Sequence, residues 1–247
     1  MKIIFNADDF GLSKGVNLGI AEAYKNGVVR STTMMAGMAG FDHAAALLKE
    51  NPGLRVGVHL TLTAGKSIGG VYKTLTDKKG NFLKLNALTD QINEIDLKEV
   101  EQEYEAQIQK VLSAGIDIDH FDSHHHTHNL EGIVNVFLKL AKKYHKKVRI
   151  YKKELLCGEY ADIVTTDHFD ESFYNETATS DHLTEIISGC KGDSLEIMCH
   201  PAYVDYALYQ ISSYNIKRVF ELNVLTGDEI KNYFAQHNVQ ICSFSDL

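Results

Sequence analysis

Residues Asp119 to His128 read Asp-His-Phe-Asp-Ser-His-His-His-Thr-His, with five histidines within nine positions. Packing alone is a costly account of such a run, because every buried imidazole needs hydrogen-bond partners. A metal or catalytic cluster is the simpler reading. Imidazole suits Zn2+ and other first-row divalent ions, and carboxylates bring in harder ions such as Mg2+ and Mn2+. His124 is the first histidine past an apolar run, and His128 lies four residues on, the reach of one helical turn. Asp122 is placed to orient an imidazole. His126 joins Asp122 and His128 as a candidate for supporting a ligand or touching substrate.

Three further signals are weaker alone. Asn6-Ala7-Asp8-Asp9-Phe10-Gly11 puts adjacent carboxylates at the end of an apolar run. Neighbours on a strand point to opposite faces, so both reach one site only through a bend, which Gly11 could supply. One carboxylate could hold a metal while the other takes a proton from water; a turn or helix cap explains the same pair. His59 sits inside Val56-Gly57-Val58-His59-Leu60 and serves either as a ligand or as a core residue, with Gly57 leaving room for close approach. His200 ends an apolar run and is followed by Pro201, which halts a strand. Arg149, near another strand end, is a candidate for orienting a carboxylate or a substrate anion.

The elements that must position these residues alternate. Strand-like runs fall at Ile3–Asn6, Arg30–Ala36, Arg55–Leu62, Ile116–Ser123, Val148–Tyr151, Ile163–Thr166, Leu195–His200 and Val239–Phe244. Most are continuously apolar, as parallel strands covered on both faces are. Ser13 caps a helix that stops at Gly27, Asp96 with Glu99 opens one ending before Gly115, Ile133–Tyr144 carries an apolar face, and Thr226 with Glu229 opens the last. Strand and helix in alternation predict an α/β fold, a TIM-like and irregular (β/α) barrel, of the size that fold reaches at ~250 residues. In it Asp8, Asp9, His59, His124 and His200 lie at strand ends on one rim. One carboxylate and two imidazoles then hold a metal with open positions for water and a substrate oxygen. Residues 63–95, with four glycines and no clear period, are expected to form a lid or substrate loop, with a decorative insertion as the alternative.

The 247 residues are 44% hydrophobic and 23% charged, ordinary for a globular core, and their net charge of −8 at pH 7 argues against nucleic acid or anionic membrane as partner. Lys142, Lys143, Lys146 and Lys147 read as the solvated end of a helix. No run nears the ~20 apolar residues of a membrane span, and Met1 leads straight into a strand with no leader pattern. The four cysteines are widely spaced. A cytoplasmic protein with reduced thiols is expected, and a homodimer is compatible with everything in the sequence.

Three long runs resemble the YdjC-like carbohydrate deacetylases, most of all those acting on chitin-derived oligosaccharides. They are Asn6 to Gly15, Asp122-Ser123-His124-His125-His126-x-His128, and Leu195-Glu196-x-Met198-Cys199-His200-Pro201-Ala202. Arg30-Ser31-Thr32-Thr33 and Ser243-Phe244 fall in the same order, so the resemblance spans nearly the whole chain. It implies one domain over 1–247, a barrel related to NodB-type deacetylases, and a divalent metal, Mg2+ first with Zn2+ or Mn2+ as alternatives. It also implies removal of acetate from an N-acetylated oligosaccharide, diacetylchitobiose or its 6-phosphate. By position it assigns Asp9, His59 and His124 to the metal, Asp8 to the base and His200 to the acid. NodB-type enzymes place the second histidine ligand four residues after the first, which points to His128 in place of His59; both stay open. A metal-dependent sugar phosphoesterase and a non-catalytic sugar or metal sensor are the competing readings.

Overall fold

A computed structural model describes residues 1–237 and 239–247. In chain order the elements are β1 (Lys2–Phe10), α1 (Lys14–Lys25), β2 (Ser31–Met34), α2 (Phe41–Glu50), β3 (Arg55–Leu60), α3 (Leu85–Asp90), α4 (Leu97–Ser113), β4 (Ile118–Ser123) and α5 (Ile133–Tyr144). They continue with β5 (Lys147–Val148), β6 (His168–Asp170), α6 (Ser180–Gly189), β7 (Ser194–Cys199), α7 (Tyr206–Ile211), α8 (Lys217–Thr226), α9 (Asp228–His237) and β8 (Gln240–Ile241). The sheet order is β5-β4-β3-β2-β1-β7-β6, with β8 paired to β1. Two compact units divide the chain.

The first unit comprises Met1–Thr33, Ala39–Val56 and Thr166–Leu247. Its centre is β1, buried from Ile3 to Phe10. β7 runs parallel to it, from Lys2 opposite Ser194 to Ala7 opposite Cys199, and β6 pairs with the outer side of β7. Side-chain alternation puts Ile4, Asn6 and Asp8 on one face of β1. Ser13 caps α1 through a bond from the Val16 N–H. Along α1, a Cβ on Gly15 would lie 2.3 Å from the Tyr203 carbonyl and one on Gly19 2.4 Å from the Ala202 Cα. Those two glycines let the chain leaving β7 lie directly on α1, which fixes where His200 can sit.

The second unit comprises Met34–Met38 and Gly57–Thr165. β4 runs parallel to β5, and α4 packs on α5 with Lys139–Glu101 and Lys143–Glu105 ion pairs at 2.7 and 2.9 Å. Gly57 allows β3 to approach β4: a Cβ there would meet the His120 carbonyl at 2.6 Å and its ring at 2.7 Å. Residues 63–95 are stitched to α4. The Glu103 carboxylate accepts from the Ile68 and Gly69 N–H groups, and Glu99 from those of Lys73 and Thr74. Gln107 bonds both the N–H and the carbonyl of Thr61. Asp96 does cap α4, but Glu99 is spent on this segment and does not close a capping box.

Four expected elements differ. Thr226 is the last residue of α8 and turns its hydroxyl back to the Leu222 carbonyl, so it does not open the final helix; Gly227 separates α8 from α9. Residues 163–166 are irregular, with Val148 N–H bonding the Val164 carbonyl, and the strand falls later, at β6. β5 and β8 are two residues each, because only those residues find a parallel partner. All four cysteines are free thiols. No described helix is long and apolar enough to cross a membrane.

Candidate active site

In the first unit the bend at the end of β1 lies at Asp9 itself, whose φ is +71°. This left-handed backbone is uncommon for a non-glycine residue, although aspartate tolerates it better than most. The Leu12 N–H closes the turn on the Asp9 carbonyl at 2.9 Å. Arg218, on α8, donates to Asp9 Oδ2 at 2.7 Å, both side chains being buried. Asp8 is also buried. Asn6, two residues earlier on the same strand face, donates to Asp8 Oδ1 at 2.8 Å and to the Thr33 hydroxyl, while Ser31 donates to Asn6 Oδ1. The polar end of β2 therefore fixes Asn6, and Asn6 fixes Asp8.

His200, just past β7, is mostly buried. Glu221, one helical turn beyond Arg218, accepts from the His200 backbone N–H and places a carboxylate oxygen 3.7 Å from His200 Nδ1. The same carboxylate accepts from the Tyr214 hydroxyl, and burial, followed by the Glu221 charge and this bond, pushes the Tyr214 phenol well above its usual range. One helix thus grips Asp9 and His200 through a cation and an anion at i and i+3. Neither residue stands out in the sequence; α8 was not among the expected elements.

In the second unit His59, on β3, holds Asp122, on β4, with Nδ1 2.8 Å from Oδ1. Arg149, past β5, lies 3.1 Å from the other Asp122 oxygen. All three side chains are buried. A carboxylate on Nδ1 fixes the tautomer and ring direction of a histidine and leaves Nε2 as its ligating nitrogen. The His124 ring stands edge-on to His59 with centroids 5.5 Å apart.

The histidine run is not a regular helical turn. His125 and His126 take φ of +54° and +52°, which sends the chain back toward Ser123. His128 is fully buried there: Nδ1 meets the Ser123 hydroxyl at 2.6 Å, Nε2 meets the Asn129 amide at 2.9 Å, and the ring lies on Phe137 at 4.7 Å. The four-residue spacing thus does not put His124 and His128 on one face, and both nitrogens of His128 face protein partners. His125 bonds the Thr63 hydroxyl at 2.9 Å, and His126 lies against Tyr151 at 5.3 Å.

Among known proteins, residues 2–236 match the family described as YdjC-like protein. Carbohydrate deacetylase 1 of Listeria innocua is 45% identical over 250 residues, covering 100% of both chains. A solved Enterococcus faecalis structure, described as a candidate cellobiose-phosphate cleavage protein, superposes with a TM-score of 0.91 at 32% identity, covering 99% of this chain and 98% of that one. A family 4 carbohydrate esterase from Streptomyces lividans, solved with acetate, gives a TM-score of 0.55 at 13% identity, over 98% and 91% of the two chains. That last likeness shows the fold alone, a parallel α/β sheet with helices. With the expected motifs in place on that fold and a full-length relative at this identity, the chain belongs to the YdjC-like family.

Proposed function

We propose that the protein is a metal-dependent hydrolase that removes an N-acetyl group from chitin-derived oligosaccharides, diacetylchitobiose or its 6-phosphate, and releases acetate. The observation that carries this reading is the donor set of Asp9, His59 and His124, each offering one ligand atom, with all three atoms within 4.8 Å of one another. One carboxylate and two imidazoles are a donor set for a divalent cation with open positions. Asp122 directs His59 for that role. Asp8, His59 and Asp122 also lie close enough to form a set, but His59 spends its Nδ1 on Asp122, which Arg149 already neutralises. His59 is favoured over His128 because His128 is turned into its own loop.

The ion, when bound, polarises the acetamide carbonyl and lowers the pKa of a water. The family resemblance makes Mg2+ the expected ion, and the two imidazoles suit Mn2+ or Zn2+ as well. Asp8, steadied by Asn6, accepts the proton of the attacking water. His200 hands a proton to the departing nitrogen, with Glu221 complementing the imidazolium charge. Asp122, Arg149, His126 and His128 support the donors and the loop that carries them. The relatives' names support deacetylation of a carbohydrate, and the Enterococcus protein's supports a phosphorylated disaccharide. In this reading residues 1–247 work as one catalytic domain in the cytoplasm, and residues 63–95 cover the substrate.

The test is acetate release from diacetylchitobiose and its 6-phosphate, before and after chelation, with Mg2+, Mn2+ and Zn2+ restored singly. Chelation should abolish release and one of the ions should restore it. Full activity in metal-free protein overturns the metal dependence, and release of phosphate in place of acetate overturns the reaction.

A further inference from the structure

Tyr174 and Tyr214 form a stacked pair with ring centroids 4.0 Å apart and 23° between their planes. Each meets His200 edge-on, at 5.7 and 5.6 Å. Tyr214 is held rigidly: its hydroxyl donates to Glu221 and accepts from the Asn175 N–H at 2.9 Å, and the Arg218 guanidinium lies 5.3 Å from its ring centre. Asn175, next to Tyr174, has a φ of +58°. Strained backbone of this kind persists only where the surroundings over-determine it. The Lys217–Glu176 ion pair, at 2.7 Å, ties the same turn to α8. Tyr174 nevertheless stays 38% exposed. Packing does not account for an exposed ring that is ordered by a strained turn, stacked on a second ring and set beside the candidate acid.

We propose that Tyr174, backed by Tyr214, is the platform on which the apolar face of a substrate pyranose rests. The inference builds on the deacetylase reading and names the subsite that orients its sugar. An aromatic face carries negative charge density, which attracts the weakly positive C–H bonds of an apolar surface. A pyranose with all its hydroxyls equatorial presents axial C–H bonds on both faces and keeps its hydroxyls at the rim, in water. The platform therefore selects gluco-configured sugars, N-acetylglucosamine included, over sugars with an axial hydroxyl on the stacked face.

Tyr174→Ala, Tyr174→Phe and Tyr174→Leu test this on the full chain. The measurements are steady-state acetate release from diacetylchitobiose, and saturation-transfer NMR of the same sugar on chelated protein, where no turnover intrudes. Tyr174→Ala should raise KM about tenfold, the scale of one lost aromatic contact, leave kcat within about twofold and weaken the saturation transfer. Tyr174→Phe should keep KM within about twofold and retain the transfer, because the ring and not the hydroxyl acts. Tyr174→Leu fills the volume without a ring and should match Tyr174→Ala, which covers the case where the alanine variant unfolds. An unchanged KM in Tyr174→Ala or Tyr174→Leu overturns the platform, as does a Tyr174→Phe variant as impaired as Tyr174→Ala. If wild type releases no acetate yet binds the sugar through Tyr174, the platform stands and the deacetylase reading falls. If acetate is released with no dependence on Tyr174, the reverse holds.

Discussion

Asp122→Asn separates the two jobs of one buried carboxylate. Asp122 meets His59 Nδ1 at 2.8 Å and Arg149 at 3.1 Å, and neither the Asp122 nor the Arg149 side chain is solvent-exposed. Asparagine keeps the shape and one acceptor for the imidazole N–H, but it deprives Arg149 of a counter-charge inside the protein. Breaking a buried pair from one side costs ~3–5 kcal/mol. At this chain length each kcal/mol shifts the melting point by ~2–4 °C, so the variant should melt ~6–20 °C below wild type. The second job is orientation of His59, and loss of such a partner typically lowers metal affinity ~10–100-fold. Adding Arg149→Met distinguishes the two. It removes the cation that faced Asp122, so the double variant should regain more than half of the lost stability and none of the affinity. Calorimetric melts in chelator read the first effect, and Mn2+ titration by isothermal calorimetry reads the second. An Asp122→Asn protein melting within ~2 °C of wild type, or a double variant no more stable than Asp122→Asn, would refute the reasoning.

His128→Ala should cost ~2–4 kcal/mol in urea unfolding, since it empties a buried site and strips partners from Ser123 and Asn129. It should leave Mn2+ stoichiometry intact, whereas His59→Ala should weaken Mn2+ binding more than tenfold; the opposite pattern would move the ligand to His128. Gly57→Ala drives a Cβ to 2.6 Å from a backbone carbonyl, and overpacking at this site should cost ~3 kcal/mol, read as a lower urea midpoint at unchanged m. Asp205 caps α7 and accepts from the Leu208 and Gly15 N–H groups. Burial raises its carboxyl, but those bonds outweigh it and hold the pKa below the usual range. A depressed folded-state pKa means stability that is present above the unfolded value of about 3.9 and lost as pH falls through the folded one. Asp205→Ala should therefore destabilise by ~1 kcal/mol at neutral pH, with the gap from wild type closing below pH 4 in paired acid-unfolding curves.

Much of this was legible because it is local. β1 is one apolar run, and Ser13 and Asp96 cap the helices that their spacing suggests. The Asp8-Asp9 pair, His59, His124 and His200 could be picked out because polar groups at the ends of apolar strands are expensive without a purpose. Arg218 and Glu221 could not. They lie three apart on a ten-residue helix among ordinary helix formers, and only the way α8 lies against residues 200–203 gives them Asp9 and His200 as partners. Glu99 is the converse: its spacing from Asp96 suggested a helix cap, yet a chain segment some 25 residues earlier competes for its carboxylate and wins.

The bend at the first motif shows how this works. Asp8 and Asp9 are adjacent on a strand and would point to opposite faces, and Gly11 is the residue that sequence alone would choose to break the strand. The chain turns at Asp9 instead, and among the described residues four of the five non-glycine ones with positive φ (Asp9, His125, His126 and Asn175) are, or adjoin, residues argued to hold metal or substrate. The fifth, His145, only ends a helix, an ordinary place for that conformation. Each such residue costs on the order of 1–3 kcal/mol, so each needs compensation nearby. Arg218 supplies it at Asp9, the Thr63 hydroxyl at His125, and the Tyr214 hydroxyl at Asn175. Aspartate, histidine and asparagine are the side chains that tolerate left-handed backbone best, and they also offer ligands and hydrogen bonds. Residues chosen for chemistry can therefore make the turns that aim them, and in this protein the candidate site is built from the same residues that bend the chain toward it.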